Sequence, residues 1–341
     1  MSGLILVAPL ALWSRTYFAA QAIAGLSWWI GVFFSPAVRE ATLGSLNPTV
    51  VAFFDVPLFV VASALAAVGV RAAAVVTAGW TGLVAVALAV YATITTEAGW
   101  GVLSMGIAAA GSLIALCLVF LGRVPTTWIL RGPFAFRQAD IRPIRANVAH
   151  TLGQIVFFWG FFLVAIPIAI TVLERRWEVG LPFPAMAGPV GVGVLLLASS
   201  LGIWSAAVMS RLGDGTPLPS AMPNRLVIAG PYRWIRNPMA IAGIVQGAAV
   251  GLILESWLVI VYAVAGSLVW DYAIRPLEES DLHERFGHEF EQYRDDVRCW
   301  IPQIPKTYRP AGTVTPAKRS PGPGGCGAPI GFFHAKHPSR P

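Results

Sequence analysis

The stretch GPYRWIRNPM, Gly230–Met239, sets Arg233 and Arg236 beside the pair Asn237–Pro238 and runs straight into AIAGIVQGAAVGLIL. Asn is among the favoured helix N-caps and Pro is favoured at the first helical position. The pair therefore predicts a helix that starts at Pro238 with Asn237 as its side-chain cap. Such a start carries free N–H groups and partial positive charge, and with two arginines within a turn it suits a carboxylate or phosphate. An ordinary capped anchor at a membrane surface accounts for the same spacing. Further along, WDYAIRPLEESDLHERFGHEFEQYRDD supplies the opposite charge through Asp271, Glu278 and Glu279. Spacings of four and three put Asp271, Arg275 and Glu278 on one face of a continuous helix, and Pro276 predicts a kink there. Phe286, Phe290 and Tyr293 read as the buried stripe of an amphipathic helix.

Composition says where these groups sit. Of 341 residues, 56% are hydrophobic and only 12% charged, and the mean hydropathy is +0.67. A soluble domain of this length needs far more charge to cover its surface, so a polytopic membrane protein is implied. The net charge of +7 is spread between apolar runs, as topology signals are, and gives no nucleic-acid footprint. Cys117, Cys299 and Cys326 form no CxxC, and no histidine pair has convincing ligand spacing, so no metal site is expected.

About eight spans follow from the apolar runs, roughly 16–34, 52–70, 73–91, 101–122, 150–172, 187–209, 238–253 and 256–274. All are expected as helices, because a chain in hydrocarbon must satisfy its own backbone. The fold class is thus an all-α transmembrane bundle. Three parts are expected: 1–145, membrane helices of unassigned role with few polar residues beyond Asp55 and Glu97; 146–305, a core with most of the chemistry; and 306–341, a disordered basic Pro/Gly-rich tail. RGPFAF at Arg131 faintly echoes AGPYRW at Ala229. Trp28, Trp29, Trp80, Trp100, Trp177 and Trp257 read as interfacial anchors.

The last two spans are joined only by the turn at Glu255–Ser256, so their outer ends meet and their polar ends return to one side. The positive helix start near Asn237 and the carboxylates near Glu278 are then neighbours, a match for a zwitterion bearing a carboxylate and an ammonium. Gly243, Gly247 and Gly251 form a strip that lets another backbone approach, and Gln246 is placed to hydrogen-bond a neighbouring helix.

LVIAGPYRWIRNPM, the hairpin and EESDLHERFGHEFEQYRDDVRCWIP together resemble the isoprenylcysteine carboxyl methyltransferase and phospholipid methyltransferase group. The resemblance covers roughly residues 187–303. It implies an integral-membrane enzyme that binds S-adenosylmethionine on the cytoplasmic side and methylates a membrane lipid or lipidated substrate. Its cofactor site would draw on Tyr232, Arg233, Asn237, Pro238, Met239, Gly243, Glu278 and Glu279, with Arg236 and Glu279 as catalytic residues. The sequence departs from the family pattern at Asn237, where His is frequent, and at Ala240, where Tyr is frequent. Two other classes compete. A membrane sterol reductase using NADPH shares the fold, but Met239 and Ala240 replace its Asn-Tyr pair and no acid follows Gly243. A non-enzymatic scaffold or transporter is disfavoured by sparse intramembrane charge.

Arginines set the orientation. Arg15, Arg71, Arg123, Arg131, Arg211, Arg236 and Arg275 alternate with Arg39, Arg175 and Arg176 across the spans, which places both termini in the cytoplasm of a multi-pass protein, in a bacterial inner or plasma membrane. Reporter fusions after residues 175 and 310 should therefore report opposite sides. The same side for both would break the span count.

Overall fold

The computed structural model describes residues 4–126, 144–213, 224–302 and 313–316. The RGPFAF echo and most of the Pro/Gly-rich tail lie outside them. Seven helices are long and apolar enough to cross a membrane: Leu12–Phe34, Pro48–Ala67, Arg71–Thr95, Gly99–Leu121, Thr151–Arg176, Ala187–Leu212 and Trp257–Phe286. An eighth, Pro238–Ile253, is apolar but shorter. The chain is an integral multi-pass membrane protein with the all-helical bundle expected.

Three of the spans are interrupted by π turns, at Val56–Val61, Trp159–Ala165 and Trp270–Ile274. Each accompanies a proline: Pro57 lies within the first, and Pro167 and Pro276 each follow two residues after the others. Proline donates no N–H and crowds the carbonyl four residues back. Lengthening the local hydrogen bonds to i→i+5 lets the helix pass without exposing that carbonyl to hydrocarbon. The kink expected at Pro276 is therefore a π turn, and one continuous helix carries the chain from the membrane to Phe286.

In the first half, helices α1 (Leu4–Phe34), α2 (Pro36–Leu43) and α3 (Pro48–Asp55) lead through the first π turn into α4 (Ala62–Ala67), α5 (Arg71–Thr95) and α6 (Gly99–Leu121). Two short starts obey the capping rule. Ser35 accepts from the Val38 N–H, and Asn47 accepts from the N–H groups of Thr49 and Val50, each just before a proline. Deep in this unit Gln21 makes four bonds, accepting from Tyr17 and Ser112 and donating to Ser63 and Thr77. Asp55 is buried and accepts from the indoles of Trp29 at 2.9 Å and Trp80 at 2.7 Å. Those two tryptophans are core residues bound to a carboxylate, which corrects their reading as interfacial anchors.

The second half comprises α7 (Ile144–Phe158), α8 (Ile166–Arg176), α9 (Ala187–Leu212), α10 (Pro238–Ile253), α11 (Trp257–Val269), α12 (Arg275–Phe286) and α13 (His288–Asp296). The halves are tied where α5 and α8 end. Arg176 donates to the carbonyls of Thr93 and Ile94, Trp177 donates to Thr93, and Trp100 stacks on Trp257. At the same end Ser256 caps α11 and donates to the buried Glu174.

The fold also contains a two-stranded antiparallel ribbon that the all-helical reading omits: β1 (Arg225–Ile228) pairs with β2 (Thr313–Pro316), with Arg225 opposite Pro316 and Ile228 opposite Thr313. Four residues of the segment expected to be disordered are thus held against the core. Strand alternation splits β1 between two clusters. Leu226 and Ile228 pack with Phe286, Phe290, Tyr293 and Val297, while Val227 packs with Ala229 and Tyr232 against Val208, Met209 and Leu212 of α9. The stripe expected on α12 and α13 is buried as read.

Small residues set the spacing of α9, α10 and α11. A Cβ at Gly251 would stand 2.6 Å from Ile260 Cγ1 and 3.0 Å from its backbone N, and one at Gly191 would stand 2.9 Å from the Ala249 carbonyl oxygen. Gly247 is similarly close to Ala263, but a Cβ at Gly243 would meet nothing within 4 Å. Gly243 is therefore not part of the contact strip. Gln246 is buried and donates to Ser199 on α9 at 2.9 Å, as expected. Gly251→Ala should lower the thermal midpoint by several degrees, since overpacking costs about 1–3 kcal/mol. Gly243→Ala should leave it unchanged or raise it, because Ala is the better helix former by about 1 kcal/mol. A thermal-shift series in detergent checks both, and equal losses would contradict the assigned contacts.

Candidate active site

The site lies where the hairpin's polar ends return together. Gly230, at φ +55°, turns the chain out of β1 and begins a single 3₁₀ turn, Gly230–Arg233. A Cβ there would also approach Val208 Cγ2 to 2.8 Å. The turn carries Arg236 and Asn237 to the start of α10. On the opposite wall α12 and α13 are separated by Gly287, at φ +54° and ψ −127°, a conformation open to glycine. The Tyr293 hydroxyl then donates to the Tyr232 carbonyl at 2.7 Å, locking α13 onto the turn.

Asn237 does not cap. It occupies the N-cap position, yet its side chain accepts nothing from the first turn. Its amide instead donates to Cys299 Sγ at 3.2 Å. The contrast with Asn47–Pro48, which caps normally, isolates the cause: a partner in the chain after α13 draws the Asn237 side chain away. Burial pushes the Cys299 thiol up, with the Asn237 bond and the charges of Arg236 and Arg275 working against that rise. The sulfur is therefore a neutral acceptor. The first N–H groups of α10 receive nothing from Asn237.

Beside that helix end runs a chain of charges. Arg236 Nη1 lies 3.4 Å from Glu279 Oε1, Arg275 Nη1 lies 3.5 Å from the same oxygen, and Arg275 Nε lies 2.8 Å from Asp271 Oδ1. Asp271 also accepts from the Trp300 indole at 3.0 Å. Glu279, not Glu278, joins Asp271 and Arg275. The π turn at Trp270–Ile274 adds a residue to the repeat, so the aligned carboxylate falls eight positions after Asp271 instead of seven. Glu278 stands beside the network without an ion pair among the described residues. Arg236 is mostly buried, at 11% side-chain exposure, and its Nε and Nη1 have no hydrogen-bond partner although Glu279 balances the charge. A buried guanidinium with two undirected donors, next to an uncapped helix start, has the chemistry to accept an anion.

The remaining expected residues divide. Pro238 is buried as the first residue of α10, Met239 is half-buried in its first turn, and Gly243 faces open space one turn on. Arg233 is half-buried with no ion pair among the described residues. Tyr232 is a core residue. Burial drives its phenol well above the ordinary range, with Tyr293 and Glu278 adding to the rise, so it stays neutral close to Glu278. His283 and His288 both approach Glu291, at 3.6 and 3.5 Å, on the surface of α12 and α13. Cys299, Trp300 and the Arg298 carbonyl, which accepts from the Arg236 N–H at 3.1 Å, were not singled out by residue type. Their one sequence signal is position, just before the closing Ile301–Pro302.

Comparison with known proteins adds a family. Residues 188–289 match the phospholipid methyltransferase family. That match begins in α9 and runs through the hairpin and α12 to the second residue of α13, so it contains Arg236, Asn237, Glu278 and Glu279. No curated protein matches the chain. Among solved structures, the eukaryotic intramembrane Ras methyltransferase ICMT (isoprenylcysteine carboxyl methyltransferase) aligns over 87% of this chain and 98% of its own at 18% identity, with a TM-score of 0.27, a superposition too loose to bear on the site. Most of the candidate site, Arg236, Asn237, Glu278 and Glu279 included, lies in the segment 188–289 that matches the phospholipid methyltransferase family.

Proposed function

We propose that this chain is an S-adenosylmethionine-dependent methyltransferase, acting at the cytoplasmic membrane face on a lipid or lipidated substrate, with residues 146–305 as its core. The observation that carries the reading is the buried Arg236 without directed hydrogen bonds beside the uncapped start of α10. These groups fit the methionine part of the cofactor. Its carboxylate would accept from Arg236 and from the backbone N–H groups of Met239 and Ala240. Its ammonium would face Glu278, which forms no ion pair among the described residues although Arg285 and Arg236 lie within reach of its charge. Glu279, anchored by Arg236 and Arg275, holds the guanidinium in place.

The cofactor's sulfonium supplies a methyl group already activated for displacement. The protein's part is to align the acceptor and exclude water. The open face beside Gly243 gives an apolar acceptor room to reach the helix start from the membrane. Tyr232, kept neutral by burial, adds no competing charge. The NADPH reductase alternative meets a site whose first turn reads Met239–Ala240 and which has no acid after Gly243. Binding of S-adenosylhomocysteine without binding of NADPH supports the methyltransferase reading, and the reverse removes it.

Arg236→Met should weaken S-adenosylhomocysteine binding by about 10- to 100-fold, the scale of a charge-assisted hydrogen bond. The thermal midpoint should fall little, because Glu279 keeps Arg275 as its partner and the guanidinium's own burial is costly. Calorimetric titration beside thermal unfolding decides this, and unchanged affinity refutes the anion site.

Asn237→Asp loses the amide that bonds Cys299, frees the side chain to cap and adds a negative charge where the cofactor carboxylate would sit. Stability should hold or rise by about 0.5–2 kcal/mol, the range for a restored cap. Affinity for S-adenosylhomocysteine should fall about tenfold, and less at high salt, since screening acts over about 8–10 Å at ordinary ionic strength. Wild-type affinity in this variant would remove the helix start from the cofactor site.

A further inference from the structure

At the opposite end of the bundle from the candidate active site, the first half encloses a cavity of about 710 Å³. That lies within the roughly 300–1,000 Å³ range of ligand sites. Its wall comes from α1, the end of α2, α3, the first π turn, α5 and α6, with Trp28, Phe59, Leu88 and Met105 among the apolar lining and Gln21 and Asp55 as polar members. Those polar groups are already satisfied, Gln21 by its four bonds and Asp55 by two indoles. The cavity therefore seeks no polar atom deep inside; it seeks hydrocarbon. Val50, Phe54, Leu83 and Ile107 line it and are also exposed on the bundle surface at 56%, 51%, 62% and 74%. It thus opens sideways, within the length of the membrane spans, where the surrounding medium is lipid chains.

The polar end of the occupant is set by what stands at the end of the cavity. Tyr91 lines it, and the Tyr91 hydroxyl donates to Glu97 Oε2 at 2.5 Å, where the Ser45 N–H also donates at 2.8 Å. Glu97 lies over Gly44, between Leu43 and Leu46, which are both lining residues. Those bonds, the Tyr91 hydroxyl first, hold the Glu97 carboxyl below its ordinary range, so it stays ionised. This end is the one where α5 finishes and Arg176 joins the halves, a membrane helix away from Arg236.

We propose that this cavity is a second lipid site, holding one hydrocarbon chain of an amine-headed phospholipid whose ammonium pairs with Glu97. An apolar slot open to the bilayer selects a chain, and a half-exposed carboxylate at its end selects a cationic donor head over an anionic one. The site gives the first half of the chain a task of its own, independent of methyl transfer.

The test uses the full-length protein in nanodiscs containing phosphatidylethanolamine or phosphatidylglycerol with a diazirine in the acyl chain, photolysed, digested and mapped by mass spectrometry. The ethanolamine probe should label Ala24, Leu83 and Ser104 at least fivefold more than the glycerol probe does. Val86 and Val90, exposed on α5 outside the lining, should take both probes equally. Glu97→Gln should erase the fivefold preference without changing the thermal midpoint. Ala87→Trp, which fills the cavity, should abolish labelling of the lining but not of Val86 and Val90. Equal labelling of the lining by both probes in the wild type, or lining labels that persist in a folded Ala87→Trp protein, would overturn the proposal. Should Ala87→Trp fail to fold, the head-group comparison and Glu97→Gln still decide it.

Discussion

Hydrocarbon offers a backbone no water, and most of this structure follows from that one constraint. Three prolines interrupt spans, and at each the helix widens into a π turn instead of leaving a carbonyl bare. The short starts at Pro36 and Pro48 are capped by Ser35 and Asn47, and the hairpin turn by Ser256. The start of α10, like those of α5, α6 and α9, has no side-chain cap, although it alone of these has an Asn at the cap position. Its apparent cap is committed elsewhere, and the nearest cation has donors without directed bonds. Buried polar groups normally find partners, and one left without is a cost of about 1–3 kcal/mol. What sets the start of α10 apart is the buried guanidinium beside it, whose unmet donors suit a ligand that arrives later.

The charge chain from Asp271 to Arg236 bears on the same point. Desolvating such a network consumes most of what its attraction returns, so it is a poor device for stability. It is a good device for position. Glu279 touches two arginines on two elements, and Arg275 passes the restraint back to Asp271 and Trp300. The guanidinium of Arg236 is thereby fixed relative to α12 even though α10 and α12 meet only at this end. β1 supplies the rigidity, with alternate residues keyed into α9 on one side and into α12 and α13 on the other.

The spans, the hairpin and the stripe of Phe286, Phe290 and Tyr293 were legible in the sequence because each rests on local periodicity. The site was legible as a set of residues but not as a set of bonds. Asn237 has the composition of a cap, and only Cys299, 62 residues away, diverts it. Glu278 was paired with Arg275 by ideal helical spacing, and the π turn before Pro276 moved the partner to Glu279. Trp29 and Trp80 sit where interfacial anchors sit, and the long-range fact that Asp55 faces both of them reassigns them to the core. β1 is four residues long and acquires its partner from a Pro/Gly-rich segment, which local pattern reads as disorder. The π turn is a local departure from ideal spacing; each of the other differences comes from a contact between distant parts of the chain.

Satisfaction of hydrogen bonds also separates the two kinds of intramembrane polarity in this protein. Around Gln21 every donor and acceptor of the amide is used, and the result joins α1, α4, α5 and α6 as packing would. Such a network has nothing left to offer a ligand. Glu174 and Gln154 each leave one buried oxygen without a partner, a mild defect for an acceptor with several lone pairs. Arg236 and Arg275 differ from these, since their unmet groups are donors on a full positive charge; Arg275 Nε has an Asp271 oxygen at 2.8 Å, whereas Arg236 Nε has no such neighbour. Intramembrane charge by itself therefore does not mark the site, because Asp55 is as buried as any residue here and is fully engaged. The mark of the candidate site is charge whose bonding the fold leaves incomplete, and it falls within the segment that matches a methyltransferase family.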